Sequence, residues 1–330
     1  MIRGRAHRLL LTGANGFIGR QVAASLPKGI ELHCVSRSRP HGDEQGVWHE
    51  VDLRDRHGCV RLIEDIRPTH LVHLAWNTEH GRFWDAPDNA DWRDAGISLV
   101  EAFARMGGQR LVISGTCAEY SVTAPSPLHE IEALVDPATP YGQAKRALHL
   151  EAGRIADAYG VAFAWARLFN AYGIGEKPGR LVPSIIEAIS RGLPARCSSG
   201  RQLRDFIDVR DLGEALARLA MSTIEGPINL GSGVSATIAE IAQTIGTLMG
   251  RPDLVVLGAL QDRAGEPLVQ VPSVDRMKTE LGFVPCILLA DGLREAIHWW
   301  DQAEHAGYQR ISNEGPLHSQ AGDREQAGSQ

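Results

Sequence analysis

The chain has 330 residues, of which 43% are hydrophobic and 22% are charged, so we expect a globular protein with one large domain or two unequal ones. A formal net charge of -6 gives no reason to expect nucleic-acid binding, because binding through phosphates normally leaves a basic excess. The five scattered cysteines form no CxxC pair, which favours a reducing, cytoplasmic location without a metal site. No apolar run approaches the roughly 20 residues of a membrane span.

Short apolar runs alternate with amphipathic segments of helical length through the first half of the chain. Segments such as Arg56 to Ile66 have the apolar spacing of helices. This alternation predicts a doubly wound α/β fold, in which helices cover both faces of a parallel sheet. The predicted strands read HRLLLTG, IELHCVS, VWHEVDL, THLVHLA, RLVISG and VAFAWARL.

The first predicted strand leads directly into a glycine-rich turn, TGANGFIG. A strand, such a turn and a helix start, in this order, direct backbone N–H groups and the helix dipole at a pyrophosphate. We therefore predict a dinucleotide site here, with ordinary turn glycines as the alternative. The predicted contacts are Gly13, Asn15, Gly16, Phe17, Ile18 and Gly19.

The second predicted strand ends in Ser36 and Arg37, at the position that selects between nicotinamide dinucleotides. An acidic residue would bind the ribose hydroxyls of NAD and repel a 2'-phosphate, whereas an arginine and a hydroxyl can bind that phosphate through charge-assisted hydrogen bonds. The sequence therefore predicts NADP(H) as the preferred cofactor, with NAD(H) as the alternative. The alternative to a phosphate-binding role is that Arg37 and Arg39 are solvated charges of a surface loop.

Thr116, Tyr141 and Lys145 form the predicted catalytic group. Residues four apart on a helix share a face, so Tyr141 and Lys145 would point into one site. A lysine ammonium about 4 Å from the phenol would lower the pKa of Tyr141 by roughly three units at an effective dielectric of 20. Tyr141 would then transfer protons near neutral pH. The alternatives are a surface Tyr–Lys pair and a strand-end cap at Thr116.

The pattern becomes irregular from about Ala171, before helices are predicted near VPSIIEAISRG and DLGEALARLAM. This change predicts a second, smaller lobe and a cleft between the two. We expect residues 1–170 to form mainly the dinucleotide-binding domain, with 205–235 returning to it. Residues 171–204 and 236–311 would form the substrate-binding lobe, and 312–330 a disordered tail.

The motifs TGANGFIG, YGQAK, ARLFNAYG, RDFIDVRD and DRAGEP together resemble the extended short-chain dehydrogenase/reductase superfamily, in its NAD-dependent epimerase/dehydratase branch. They occur in the family's order as far as about Trp300. The resemblance implies a Rossmann-type fold with a smaller C-terminal substrate lobe and an enzyme that acts on a nucleotide-diphosphate sugar. It also implies a homodimer, built from the helix before RLVISG and the helix that carries Tyr141.

The resemblance further implies a role for each matching residue. Thr116 would hydrogen-bond the reacting sugar oxygen, Tyr141 would transfer its proton, and Lys145 would also hold the nicotinamide ribose. An ion pair with Asp205 is the alternative role of Arg204. The further implied cofactor contacts are Asp52, Leu53 and Ala75, and the implied diphosphate contacts are Asn170, Arg204 and Arg263.

The residues after Thr116 bear on the reaction. Nucleotide-sugar 4,6-dehydratases of this branch have an Asp-Glu pair there, whereas this chain has Cys117 and Ala118, so dehydration is disfavoured. The role of Glu119, one residue later, stays open. We expect an NADPH-dependent reductase of the C4 ketone of a nucleotide-linked 4-keto-6-deoxy sugar, in deoxysugar or polysaccharide biosynthesis. The alternatives are a 4-epimerase that retains NAD and, more remotely, a noncatalytic dinucleotide-binding protein.

The chain departs from the family pattern in three places. Ile174 replaces the usual proline after NAYG, and Glu266 stands where the family often has aspartate. The third is the aromatic loop, defined here as residues 76–92. Its Trp76, Phe83 and Trp84 can form a wall against the sugar or the base. A core or lid role without ligand contact is the equal alternative. This loop leaves the identity of the substrate open.

Overall fold

The computed structural model describes residues 7–39 and 45–305, which form an α/β fold; the predicted tail, 312–330, lies outside them. The strands of the described residues are β1 (Arg8–Thr12), β2 (Glu31–Ser36), β3 (Val47–Glu50), β4 (His70–His73), β5 (Arg110–Thr116), β6 (Ala162–Leu168), β7 (Asn170–Tyr172), β8 (Ala195–Arg196), β9 (Leu203–Asp208), β10 (Gly226–Leu230), β11 (Ser235–Thr237), β12 (Val255–Val256) and β13 (Val269–Gln270). The helices are α1 (Phe17–Ser25), α2 (Arg56–Ile66), α3 (Asn89–Arg105), α4 (Pro140–Tyr159), α5 (Leu181–Ser190), α6 (Val209–Ala220), α7 (Ile238–Leu248), α8 (Asp275–Thr279) and α9 (Leu289–His305).

A parallel sheet of seven strands lies at the centre, in the order β10-β6-β5-β4-β1-β2-β3. All six strands that the first half of the sequence predicts are present, which confirms the doubly wound Rossmann-type fold. The strand order reverses at β1, which has β2 on one side and β4 on the other. In sheets of this kind, ligands bind at the carboxyl ends of the strands beside this switch point.

Helices cover both faces of the sheet, and for this reason its central strands β1, β4 and β5 are almost continuously buried. Leu10 of β1 faces the core beneath α2, α3 and α4. Leu9 and Leu11 point the other way, into the core beneath α1 and α6. The alternation follows from the two-residue period of a strand and fixes which side chains of β1 lie under which helix layer.

The second lobe has its own small sheet, in which β9 pairs with β7, β11 and β13. A separate apolar core joins α5, α7 and α9. The sequence did not predict this sheet, because β7, β11 and β13 have only two or three residues each and show no period. Its register places Arg204 of β9 next to Gln270 of β13.

Within the described ranges, no helix combines the length and the apolar character needed to cross a bilayer. Nor do three or more His, Cys, Asp or Glu side chains of those ranges cluster as potential metal ligands.

Candidate active site

The glycine turn joins β1 to α1 at the carboxyl end of the sheet. Gly13 has a φ of +71°, and a Cβ atom there would lie 2.9 Å from the backbone nitrogen of Ala75. A Cβ atom on Gly19 would lie 2.1 Å from the carbonyl oxygen of Gly13. Side chains at either position would force the turn apart. The glycines therefore keep it tight and hold the N-terminus of α1 where its first N–H groups can meet a phosphate.

A cleft of 740 Å³ extends from this turn to the segment before α5. Asp52 is not part of its lining, and its carboxylate accepts hydrogen bonds from Arg54, which does line the cleft. Sequence reasoning missed the wall before α5, because that irregular segment carries no motif that we used. The predicted cofactor contacts that line the cleft are Gly13, Asn15, Gly16, Ser36, Arg37, Leu53 and Ala75. Those outside its lining are Phe17, Ile18, Gly19, Asp52, Tyr141 and Lys145, and the unpredicted wall is Lys177, Pro178, Gly179 and Arg180.

The end of β2 reaches the same cleft and carries no acidic residue. Arg37 is exposed at the cleft edge, and the Ser36 hydroxyl next to it donates a hydrogen bond to the Ser38 carbonyl. Glu50, on the neighbouring strand, accepts a hydrogen bond from the backbone N–H of Arg39 at 2.8 Å. Arg37 thus lines the cleft, while the Glu50 carboxylate is bound by the Arg39 backbone.

Thr116 and Tyr141 meet at the carboxyl end of β5. The hydroxyl oxygen of Thr116 accepts a hydrogen bond from the Ala118 N–H at 3.2 Å and caps a short 3-10 helix, Cys117–Glu119. Tyr141 lies in the first turn of α4, where the Thr139 side chain accepts from the Gly142 N–H at 3.2 Å. The side chains of Thr116 and Tyr141 share a hydrogen bond. The two predicted catalytic hydroxyls are thus in contact.

Burial governs the protonation of Tyr141 and Lys145, the two predicted catalytic groups on α4. It raises the pKa of Tyr141, and the hydrogen bond with Thr116 offsets only part of this effect. Lys145 is 2% exposed; its Nζ donates to the Ser114 carbonyl at 2.9 Å and lies 4.0 Å from the centre of the Trp76 ring. Burial lowers the pKa of Lys145 to about 7. The expectation that Lys145 lowers the pKa of Tyr141 is wrong for this geometry, because desolvation dominates and the amine is directed at Ser114 and Trp76.

The aromatic loop closes over Tyr141. Trp76, Phe83 and Trp84 pack edge to face on its ring, with ring centres 6.1, 4.9 and 5.8 Å away. The Trp76 indole N–H donates to the side chain of Asn89 at 3.0 Å, and the Tyr141 N–H donates to the Trp84 carbonyl at 3.0 Å. Tyr141 is consequently only 9% exposed. The loop therefore excludes water from the phenol and supplies much of the low dielectric that raises its pKa.

Glu119 points away from this site, which resolves the role that the sequence leaves open. Its side chain is 0% exposed. The carboxylate accepts hydrogen bonds from the Thr116 N–H at 2.8 Å, the Trp165 indole at 2.9 Å and the Arg167 Nε at 3.3 Å. All three partners lie in the interior. Glu119 therefore fixes the strand end that carries Thr116 and does not face a substrate.

Glu119→Ala should lower the free energy of unfolding by about 3–5 kcal/mol, because it leaves the buried Arg167 charge without its carboxylate. Urea unfolding followed by circular dichroism measures this change. Glu151→Ala is the matched control, since Glu151 pairs with Arg154 at the surface and its loss should leave stability nearly unchanged. Equal stability of the two variants would contradict the structural role of Glu119.

The residues predicted to contact a diphosphate differ in whether their side chains already form hydrogen bonds within the protein. Asn170 donates its side-chain N–H to the Asp205 carbonyl at 2.9 Å. Buried Arg204 donates to the Glu266 carboxylate and the Pro267 carbonyl, both at 2.7 Å. Arg204 thus pairs with Glu266 rather than with Asp205, whose carboxylate accepts from the backbone near β11. The hydrogen bonds that Arg204 donates hold the loop before β13.

Arg263 lies on that same loop and is exposed. Its guanidinium carbon lies 4.9 Å from the centre of the Trp84 ring, within the range of a cation–π contact. A guanidinium stacked in this way keeps its N–H groups directed outward, so they remain available to an anion. Of the three predicted diphosphate contacts, Arg263 has the geometry that best suits a ligand.

Comparison with known proteins agrees with the fold. A model of the NAD dependent epimerase/dehydratase family matches residues 9–231. The chain is 26% identical to a UDP-glucose 4-epimerase of Rhizobium meliloti, over 91% of this chain and 99% of the relative. It is 28% identical to UDP-glucuronic acid decarboxylase 1 of Danio rerio, over 90% of this chain and 74% of the relative. The solved structure of MoeE5 in complex with UDP-glucuronic acid and NAD aligns with a TM-score of 0.77 at 26% identity, covering 90% of this chain and 99% of MoeE5.

Proposed function

The chain belongs to the NAD-dependent epimerase/dehydratase family, and we propose that it is an NADPH-dependent reductase of the C4 ketone of a nucleotide-linked 4-keto-6-deoxy sugar. The observation that carries this proposal is the end of β2, where Ser36 and Arg37 line the cleft in place of an acidic residue. These groups suit the 2'-phosphate of NADP(H). Because cells keep this cofactor pool reduced, an enzyme that draws on it reduces its substrate.

The glycine turn fits the pyrophosphate of such a dinucleotide. Gly13 lets the backbone approach closely, and α1, with nine residues, directs its positive end into the cleft. When bound, the reduced nicotinamide supplies a hydride to the C4 carbon of the substrate. Tyr141 donates the accompanying proton to the C4 oxygen, and the Thr116 hydroxyl holds that oxygen beside the phenol.

Tyr141 is protonated at neutral pH, as a phenol of ordinary pKa also is, and this is the form that a reductase needs at the start of its reaction. A 4-epimerase first removes a proton from the substrate hydroxyl and needs the opposite form. Dehydration is disfavoured because Cys117 and Ala118 follow Thr116, and neither supplies the further acid or base.

The substrate is proposed to be a nucleotide-diphosphate sugar, with Arg263 as its diphosphate ligand. The exposed, stacked guanidinium of Arg263 supports this role. Asn170 and Arg204 would then shape the diphosphate pocket through the backbone that they hold. The relatives named for UDP-glucose and UDP-glucuronic acid, and the MoeE5 complex, support a nucleotide sugar as the substrate class.

A 4-epimerase that retains NAD is the second candidate. It is favoured by the similarity to a UDP-glucose 4-epimerase and to MoeE5, whose solved complex contains NAD. Such an enzyme would use Thr116, Tyr141 and Lys145 in the same positions. It would oxidise and then reduce its substrate without net consumption of cofactor.

A time course separates the two candidates. The purified protein is incubated with NADPH or NADH and a panel of 4-keto-6-deoxy nucleotide sugars, while nicotinamide absorbance and sugar products are both followed. We expect NADPH to be consumed in step with the appearance of a reduced sugar. Interconversion of UDP-hexoses without net consumption, with NAD released on denaturation, would instead establish the epimerase. Absence of both reactions would favour a noncatalytic dinucleotide-binding protein.

Arg37→Ala should weaken NADPH binding by roughly 10- to 100-fold, because it removes a charge-assisted hydrogen bond to the 2'-phosphate. NADH binding should stay within about twofold of wild type, since NADH lacks that phosphate. Fluorescence titration with both nucleotides measures the change. Arg39→Ala is the matched control, because Arg39 is equally exposed but does not line the cleft. Equal effects of Arg37→Ala on both nucleotides would show that no 2'-phosphate is held there.

We also propose a homodimer in the cytoplasm. The helices α3 and α4 pack side by side, and α4 leaves Leu150 and Tyr159 more than half exposed, which supports a surface that a second copy covers. The five scattered cysteines, which form no CxxC pair, support a reducing compartment. Light scattering should give about twice the chain mass of 35.9 kDa, and the mass of a single chain would contradict the dimer.

A further inference from the structure

Within the aromatic loop, Trp84 contacts both the proposed proton donor and the proposed diphosphate ligand. Its ring lies 5.8 Å from the ring of Tyr141 at an interplanar angle of 89°. Its carbonyl accepts a hydrogen bond from the Tyr141 N–H at 3.0 Å. The guanidinium carbon of Arg263 lies 4.9 Å from the centre of its indole. One side chain from the loop after β4 thus connects α4 with the loop before β13.

The loop that carries Arg263 is held at its backbone but leaves the Arg263 side chain exposed. Arg204 donates hydrogen bonds to Glu266, Pro267 and Leu268, which fixes the second half of the loop. Arg263 itself opens a turn, in which its carbonyl accepts from the Glu266 N–H at 3.3 Å. A long exposed arginine loses rotamer entropy when it binds a ligand. A surface that already holds its guanidinium lowers that cost.

The indole of Trp84 is such a surface. A guanidinium is attracted to the face of an aromatic ring, and its five N–H groups lie in its own plane. Stacking on Trp84 therefore leaves these N–H groups free to form paired hydrogen bonds with phosphate oxygens. The cation–π contact and a phosphate contact are compatible at the same time, so a ligand does not have to displace the indole.

We propose that Trp84 is a substrate-positioning residue that holds Arg263 ready for the diphosphate of the nucleotide sugar. Because the same residue packs on Tyr141, it fixes the distance between the bound diphosphate and the phenol. The sugar, which is attached to the diphosphate, is thereby brought to Tyr141 in one register. This inference rests on the proposed function, since it takes a nucleotide-diphosphate sugar as the substrate.

Binding of nucleoside diphosphates without a sugar tests the proposal. Calorimetry with UDP, dTDP, CDP and GDP first identifies the base that the wild-type protein prefers. For that nucleotide, Trp84→Leu should weaken binding roughly 3- to 30-fold, as expected for the loss of a cation–π contact. Arg263→Met should weaken it at least as much. The double variant should bind no more weakly than Arg263→Met alone, because Trp84 acts through Arg263.

Phe83→Leu is the matched control. Phe83 packs on Trp84 and on Tyr141, with ring centres 4.4 and 4.9 Å away, but forms no cation–π contact with Arg263 in the described residues. Its substitution should leave nucleotide affinity within about twofold of wild type, which is small beside the cation–π effect. In turnover assays, Trp84→Leu should raise the KM for the nucleotide sugar and leave the KM for the dinucleotide unchanged. A purely structural defect would raise both KM values.

The failures of the two proposals are distinguishable. If the wild-type protein binds none of the four nucleotides, the proposed function fails together with this inference. If the wild-type protein binds one of them and Arg263→Met weakens binding while Trp84→Leu does not, the role of Trp84 is overturned and the proposed function stands. The same conclusion follows if the losses of affinity in Arg263→Met and Trp84→Leu simply add in the double variant. Should Trp84→Leu not fold, Trp84→Phe decides, because the smaller ring attracts a cation more weakly: affinity should fall by about two- to fourfold, and unchanged affinity overturns the proposal.

Discussion

Tyr141→Phe should lower turnover by about 10³-fold and leave the affinity for NADPH within about twofold of wild type. The substitution removes the proton that the C4 oxygen receives, while the remaining ring still packs against Trp76, Phe83 and Trp84. The loss of the hydrogen bond with Thr116 should cost about 1 kcal/mol of stability. The variant should therefore fold, bind the dinucleotide and fail at the chemical step.

Stopped-flow measurement of nicotinamide oxidation, together with a fluorescence titration of NADPH, separates chemistry from binding. Tyr172→Phe is the matched control, since Tyr172 is another buried phenol and donates a hydrogen bond to the Leu289 carbonyl at 3.3 Å. It should turn over within a few-fold of wild type. If Tyr141→Phe retained activity within a few-fold of wild type, another group would have to supply the proton.

The parts of the fold and site that the sequence predicted are those set by local patterns. A buried strand followed by glycines at positions 13, 16 and 19 encodes a tight turn. A Cβ atom at any of the three would crowd backbone atoms of the turn itself or of the segment after β4. The four-residue spacing of Tyr141 and Lys145 likewise fixes a shared helix face. Neither inference needed to know what packs on that face.

The environment of those residues was not predictable, because it comes from distant segments. The pKa of Tyr141 is raised rather than lowered because the aromatic loop covers the ring, and the sequence alone does not show where that loop lies. Arg204 matched a diphosphate contact, yet its guanidinium is bound by acceptors more than 60 positions further along the chain. Glu119 was ambiguous for the same reason, since Trp165 and Arg167, which bind it, lie in the next strand of the sheet.

Lys145→Met should stabilise the protein at pH 6 while it removes activity. In the folded protein the pKa of Lys145 is about 7, against 10.5 for an unperturbed lysine, because charging the buried amine is costly. Below pH 7 both the folded and the unfolded chain carry the proton, so the whole cost, at most about 5 kcal/mol, is present in the folded state. Methionine fills a similar volume without a charge. Loss of the hydrogen bond from Lys145 to the Ser114 carbonyl should cost about 1–3 kcal/mol, which offsets part of that gain in stability.

The pH dependence gives the sharper test of this reasoning. Between pH 7 and about 10 the unfolded wild-type chain binds a proton at Lys145 that the folded chain does not, so Lys145 contributes a rise of the free energy of unfolding with pH across this window. In Lys145→Met that rise should disappear, and its advantage over wild type should shrink as the pH increases. His73, buried near Lys145, does not interfere, because burial lowers its pKa to about 3 and it stays neutral throughout. Lys278→Met, at an exposed lysine, should keep the wild-type slope. If the difference in unfolding free energy between wild type and Lys145→Met stayed constant from pH 7 to about 10, the amine at the centre of the site would be charged at neutral pH.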